Sequence, residues 1–156
     1  MKKHGYIVII ILFLSCCSLF KSKIPSYPTG IIFPIEKAKE ISYKGKIIDN
    51  IQKKEGYLYF STREGFIYCI DYENEKINWE FKASEQIESH PFLGKESIYV
   101  FDRKNRLYCL NMEGKVRWEN KINEGITSGV VELKDEVCLG TEKGNFIAFN
   151  TSDGKE

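Results

Sequence analysis

Two histidines occur in the 156 residues, His4 near the N-terminus and His90 within Ser89-His90-Pro91. A Ser-His-acid set would need His90 beside an activated nucleophile, and Gly125-Ile126-Thr127-Ser128-Gly129 lacks the form of a nucleophile elbow. No Cys-x-x-Cys or His-x-x-x-His pair supplies the spacing that zinc requires. Glu85, Glu88 and Asp102 fall in polar stretches that read as turns, where a solvated carboxylate is the default. His90 itself reads as an exposed residue at the entry to a strand. These residues assign no catalytic site, no cofactor site and no metal site, and the expectation is a protein that is not an enzyme.

The five cysteines divide into an adjacent pair, Cys16-Cys17, and three dispersed residues, Cys69, Cys109 and Cys138. The pair follows a basic start, Lys2-Lys3-His4, and an uncharged apolar run from Tyr6 to Leu14. That run is shorter than the roughly 20 residues that span a bilayer and has the length of a secretory h-region. Leu12-Phe13-Leu14-Ser15-Cys16-Cys17 resembles the bacterial lipobox, in which the cysteine is acylated and becomes the new N-terminus. Cys16, with small Ser15 before it, is the assigned lipidation site; Cys17, with Leu14 three residues upstream, is the alternative. Acyl chains would hold the protein on a membrane, each buried CH₂ contributing about 0.8 kcal/mol. Ser18 to Gly30, with Pro25, Pro28 and no periodic pattern, reads as a tether. The expected organisation is a lipoprotein signal peptide over 1–15, an acylated N-terminus and tether over 16–37, and a folded region over 38–156. Lys37, Lys39, Lys44 and Lys46, interspersed with Glu36 and Glu40, read as a solvated face.

The net charge of +1 implies no polyanionic partner, so nucleic acid is excluded. A hydrophobic share of 42%, with 13% aromatic residues, is enough for a packed core and argues against disorder.

The elements that would carry these side chains are spelled out by a repeat. Gly65 to Trp79 reads GFIYCIDYENEKINW, Asn105 to Trp118 reads NRLYCLNMEGKVRW, and Gly144 opens a third copy, GNFIAFNTSDGKE. The copies start 40 and 39 residues apart, the period of a four-stranded propeller blade. Upstream of each lies a short apolar run, Tyr57-Leu58-Tyr59-Phe60, Ser97-Ile98-Tyr99-Val100 and Glu136-Val137-Cys138-Leu139. A tight turn separates run from signature, with Gly65, Asn105 or Gly144 at the residue that must take φ > 0. Phe66 to Ile70 is apolar at odd and even positions alike, as in a sheet packed between two neighbouring sheets. The predicted fold is therefore all-β, a partial propeller of about three four-stranded antiparallel blades, the last one incomplete. Strands are expected near 47–52, 57–61, 66–70 and 77–82, then 87–93, 97–101, 106–110 and 116–121, then from about 128, 136–140 and 145–149. An additional outer strand is expected near 38–44. Three blades do not close a ring. The expectation is a piece of a longer propeller, since the next Trp would fall about two residues beyond Glu156; the alternative is a head-to-tail homodimer in which residues 38–44 of one copy complete the third blade of the other. Cys69 and Cys109 share one blade position, filled by Ala148 in the third copy, and read as free buried thiols.

The repeat resembles the pyrroloquinoline-quinone-type (PQQ-like) propeller blade, whose docking signature runs A-x-D-x-x-x-G-x-x-x-W. Copy one supplies Cys69, Asp71, Glu75 and Trp79, with Glu in place of Gly. Copy two supplies Cys109, Asn111, Gly114 and Trp118, and copy three supplies Ala148, Asn150 and Gly154. The resemblance implies that Trp79 and Trp118 dock against the neighbouring blade, while Asp71, Asn111 and Asn150 bond the turn that follows. Quinone-dependent dehydrogenases share this blade but add a cofactor, a calcium site and a catalytic acid, and no stretch here matches those additions. Lipobox, tether and blades together resemble the propeller lipoproteins of the outer-membrane β-barrel assembly machinery. That resemblance implies a non-catalytic, membrane-anchored scaffold for protein–protein interaction, facing the periplasm from the outer membrane, with a barrel-assembly component as partner. The alternatives are a fragment of a quinone-dependent dehydrogenase and a periplasmic or surface ligand-binding module.

Overall fold

Tyr57–Thr62 (β2) and Phe66–Asp71 (β3) are joined by three residues and form an antiparallel hairpin in which Leu58 faces Ile70 and Phe60 faces Tyr68. Its turn closes through the Gly65 N–H on the Thr62 carbonyl, and Gly65 takes φ 89°. Asn105 (φ 58°) and Gly144 (φ 81°) hold the same conformation in the next two hairpins, so the positions singled out by the repeat are those that enter the left-handed region.

The computed structural model describes residues 40–156. Ile47–Lys54 (β1) and Lys76–Lys82 (β4) flank the first hairpin in the order β1-β2-β3-β4. The second sheet comprises Phe92–Leu93 (β5), Ser97–Phe101 (β6), Arg106–Asn111 (β7) and Val116–Lys121 (β8), again in sequence order. The third comprises Val131–Leu133 (β9), Glu136–Gly140 (β10) and Phe146–Asn150 (β11). All pairings are antiparallel, and no helix occurs among the described residues. The chain is a partial propeller of two four-stranded blades and one three-stranded blade.

The period-2 alternation of strands assigns each side chain to one seam or the other. Tyr59, Ile67 and Cys69 of blade one meet Ile98, Val100, Tyr108 and Leu110 of blade two. The intervening residues of blade two, Tyr99, Leu107 and Cys109, face Val137, Leu139 and Phe149 of blade three. The other face of blade one gathers Phe60, Tyr68 and Ile70, with Ile41 and Ile47 against them.

The strand expected near 38–44 does not form over its described part. Residues 40–46 carry no strand, although Tyr43 packs on Phe60 at 4.9 Å and the Lys44 N–H donates to the Tyr68 hydroxyl at 3.1 Å. Its counterparts β4 and β8 pair with β3 and β7, whereas residues 40–46 have no such neighbour among the described residues. The strand expected at 87–93 is also interrupted: Ile87 makes one bridge to Asp102, and pairing resumes only at Phe92–Leu93. Pro91 has no N–H to contribute to the ladder. The same place is irregular in every blade. β1 is bulged between Ile48 and Gln52, with Asp49 at φ 57°, and Ile126 makes a lone bridge to Thr141 before β9 begins. Cys16, Cys17, the signal peptide, the tether and Lys37 and Lys39 lie outside the described residues.

Candidate functional site at the blade seams

Each signature Trp starts beside a cysteine and ends in the next blade. Trp79 pairs across the ladder with Cys69, and Trp118 with Cys109. The Trp79 indole N–H donates to the Met112 carbonyl at 2.8 Å, and the Trp118 N–H to the Thr151 carbonyl at 2.9 Å. An indole of this size can bury about 150–250 Å² while its N–H stays satisfied.

The turn that receives the indole must have no side chain. A Cβ on Gly114 would lie 2.6 Å from Trp79 ring carbons, and one on Gly154 would lie 2.7 Å from Trp118 Cδ2. Both glycines also take positive φ, 76° and 71°. The signature Gly thus answers two demands, a left-handed backbone and a void for the neighbouring ring. Glu75 meets the first, at φ 54°, while the indoles of Trp79 and Trp118 seat on Gly114 and Gly154.

The residues two positions after the cysteine shape that turn. Asp71 Oδ1 accepts the Asn74 N–H at 3.0 Å, Asn111 Oδ1 accepts the N–H groups of Glu113 and Lys115 at 3.1 and 2.8 Å, and Asn150 Oδ1 accepts the Ser152 N–H at 2.8 Å. The bonds from Asn74, its amide first, hold the Asp71 carboxyl below the usual range. Cys69, Cys109 and Cys138 are free and buried, and loss of hydration pushes all three thiols up, away from the reactive thiolate.

Asp102 departs from expectation. It is not a solvated turn residue but 1% exposed, and its carboxylate accepts from Ser84 Oγ at 3.1 Å, the Tyr108 hydroxyl at 3.0 Å and the N–H groups of Lys104 and Arg106. A carboxylate can be buried when its lone pairs are met this fully. Thr62 and Thr141 hold the equivalent place in the other blades, both buried. That recurrence of short, turn-capping side chains one step before the Gly65, Asn105 and Gly144 turns was the available signal. Glu85 and Glu88 do lie on the surface, beside Lys104 and Arg103.

His90 is likewise only half-exposed. Its Nδ1 lies 2.5 Å from Asp49 Oδ2 across the first seam, and its ring packs on Phe92 at 4.5 Å. A carboxylate only accepts, so Nδ1 carries the proton. The pair unites a base with an acid, yet the neighbouring Ser89 hydroxyl is buried without any hydrogen-bond partner among the described residues and is not engaged by it. Asp49 was not legible as a partner, because Asn50 and Gly129 take the place of His90 in the other copies. Among the described residues, no three His, Cys, Asp or Glu side chains are grouped to hold a metal.

The seams are also tied near their inner strands. Lys54 Nζ donates to the carbonyls of Gly94 and Lys95 at 2.6 and 2.5 Å. At the second seam Glu132 accepts from the Tyr99 hydroxyl at 2.7 Å and from the Lys95 N–H at 2.9 Å. Burial, followed by that carboxylate, pushes the Tyr99 phenol up.

With the seams in place, the sequence relationship is direct: the family model described as outer membrane protein assembly factor BamB matches residues 45–156. The chain belongs to this family. No curated protein matches it. Among solved structures, BamB from Moraxella catarrhalis aligns over 71% of this chain and 36% of its own, with TM-score 0.62 and 15% identity. The quinohemoprotein alcohol dehydrogenase from Comamonas testosteroni aligns over 71% of this chain and 20% of its own, with TM-score 0.57 and 18% identity. The computationally designed Ika4 protein aligns over 73% and 71%, with TM-score 0.63 and 10% identity. These likenesses establish the PQQ-like blade fold. The chain spans about a third of the length of the BamB structure and about a fifth of the dehydrogenase.

Proposed function

We propose that this BamB-family chain is a non-catalytic propeller scaffold, exported and held by acyl chains on the periplasmic face of the outer membrane, where it binds a component of the barrel-assembly machinery. The observation that carries this reading is the family match over residues 45–156. The seam geometry supports it, because Trp79, Trp118, Asp71, Asn111, Asn150 and Asp102 are occupied in joining blades and shaping turns. What the blades leave outward is a set of polar turns on rigid hairpins, a surface suited to protein recognition.

Cross-linking of the acylated chain in envelope membranes, followed by identification of the captured proteins, tests the partner. Recovery of barrel-assembly components supports the scaffold; capture of none of them in repeated experiments overturns it. The anchor is tested separately. Cys16→Ser releases the chain from membranes while Cys17→Ser leaves it bound, and the reverse pattern moves the acyl group to Cys17. The likeness to the Comamonas testosteroni dehydrogenase favours a second reading, a piece of a quinone enzyme, and quinone-dependent oxidation of an alcohol by the protein would replace the scaffold with it.

A further inference from the structure

The residue just before each docking indole sits in a bulge of the outer strand, Asn78 on β4 and Arg117 on β8. A bulge re-aims its side chain, and the two seams use it differently. At the second seam Arg117 Nη1 reaches back to Ser97 Oγ on β6 at 3.1 Å. At the first seam Asn78 reaches only Cys69 Sγ, at 3.9 Å, and Tyr57 stands where Ser97 does. Beside this shorter side chain lies an open groove of about 690 Å³, over the half-buried Trp79. Both blades that border it are complete, with four strands each.

The groove has an aromatic floor and an acidic rim. Trp79 and Tyr59 lie 6.1 Å apart between ring centres, and Tyr57 and Met112 extend the floor. Three turns supply the rim: Glu55 between β1 and β2, Glu96 between β5 and β6, and Glu113 between β7 and β8. All three acids are exposed, and none makes an ion pair among the described residues. Of the two lysines beside them, Lys54 donates to the Gly94 and Lys95 carbonyls, and the Lys95 ammonium is paired with no acid among the described residues. Three separate turns thus bring unpaired carboxylates to the edge of one ring surface.

We propose that this groove receives an arginine side chain from an exposed segment of a partner protein, its guanidinium stacked on the Trp79 and Tyr57 rings and its N–H groups donating to the rim carboxylates. A planar guanidinium suits both surfaces, since it lies flat on aromatic faces and presents its donors to carboxylates in its own plane. The molecule itself shows which cation fits this place, because the second seam fills the corresponding position with its own Arg117. A compact ammonium would meet the acids but cover less of the rings. Residues 1–39 hold six lysines and no arginine, which supports a source outside them. The inference rests on the scaffold reading solely in taking the arginine to belong to a protein.

The test uses the 156-residue chain with no membrane or assembly machinery present, so its failure is distinct from failure of the scaffold reading. The peptide acetyl-Gly-Ser-Arg-Ser-Gly-amide is titrated while the two indole N–H signals are followed by NMR, Trp79 reporting the groove and Trp118 the fold. Saturable movement of the Trp79 signal alone is expected, with binding weaker by about tenfold or more for the citrulline peptide, which keeps the shape and loses the charge. Replacing the three exposed acids together, Glu55→Gln with Glu96→Gln and Glu113→Gln, should weaken binding by a similar factor. So should Asn78→Arg, which fills the groove from within. No movement of the Trp79 signal, equal binding by the citrulline peptide, or undiminished binding by either protein variant overturns the proposal. Tighter binding of choline than of the arginine peptide overturns it in favour of a quaternary-ammonium headgroup. A dimer in sedimentation that the triple variant dissociates overturns it in favour of a second copy. The peptide arms leave the protein unaltered, so the proposal stays testable whether or not a variant folds.

Discussion

The two seams solve one packing problem with different residues. At the first, Trp79 is only half-buried, has Tyr59 as its aromatic neighbour and rests on the turn at Met112 and Gly114, while Lys54 gathers the Gly94 and Lys95 carbonyls of the separate β5–β6 loop. At the second, Trp118 is 8% exposed, lies between Tyr99 and Phe149, and rests on a turn that Asn120 also ties through the Gly154 carbonyl at 2.5 Å. On the opposite rim the contrast becomes an exchange of roles. The first seam has a hydroxyl on the connector, Ser84, and an acid on the hairpin, Asp102; the second has an acid on the connector, Glu124, and a hydroxyl on the hairpin, Thr141, 2.5 Å apart. What the repeat preserves is a donor facing an acceptor and a void facing a ring. Which blade contributes the acid is free to change.

The largest effect that would break this comparison comes from the indoles. Trp118→Ala is expected to cost about 3–5 kcal/mol, the range for a large buried aromatic. Trp79→Ala is expected to cost clearly less, because part of its ring stays in water in the native protein. Urea unfolding of both variants measures the difference; equal losses would mean that the extra ring of Phe149 contributes nothing.

Next in size is the exchanged acid. Asp102→Ala leaves Ser84, Tyr108 and two N–H groups without their acceptor, at a cost of about 2–3 kcal/mol. Installing the second seam's arrangement at the first, Ser84→Glu with Asp102→Thr, should recover part of that loss relative to the sum of the single changes. A coupling energy near zero in the double-mutant cycle would show that the two rims are not interchangeable.

Smaller effects are expected at the turns. Gly114→Ala and Gly154→Ala add a methyl group within the contact distance of an indole at positive φ, costing about 1–3 kcal/mol. Glu75→Ala should change stability by less than either, because that turn already carries a Cβ. Thermal unfolding of the three variants side by side decides whether the glycine serves the ring or only the backbone.

The smallest effect is on pH dependence. The Thr141 hydroxyl, then Asn145 and the nearby Lys143, hold the Glu124 carboxyl below the usual carboxylate range. A carboxyl depressed in the folded state adds stability that is complete above its unfolded pKa and disappears as pH falls through the folded one. Thr141→Val should therefore flatten the fall of stability on acidification below the ordinary glutamate range, in unfolding midpoints measured across that range, and Asp102→Asn should not alter that contribution.

Much of the fold could be read from the chain because propeller blades advertise themselves by recurrence. The 40- and 39-residue offsets located the hairpins, and the demand for φ > 0 at Gly65, Asn105 and Gly144 was visible in the residue types. The failures have a shared cause. The strand expected near 38–44 lacks a ladder neighbour among the described residues, His90 gains Asp49 only because the seam places them together, and Asp102 was misread because a carboxylate before a turn looks the same whether its lone pairs face water or a neighbour's hydroxyl. Local text carries no record of what stands on the other side of a seam.

Sequence alone determined the blade period, the antiparallel hairpins, the doubly apolar inner strands and the Trp-bearing signature, because each follows from backbone geometry and alternation within about 40 residues. Tertiary structure alone decided which acid is buried, that His90 meets Asp49, and that Gly114 and Gly154 are the turns on which the indoles rest. Those outcomes depend on the distance between atoms far apart in the chain, and only packing one blade on the next sets that distance.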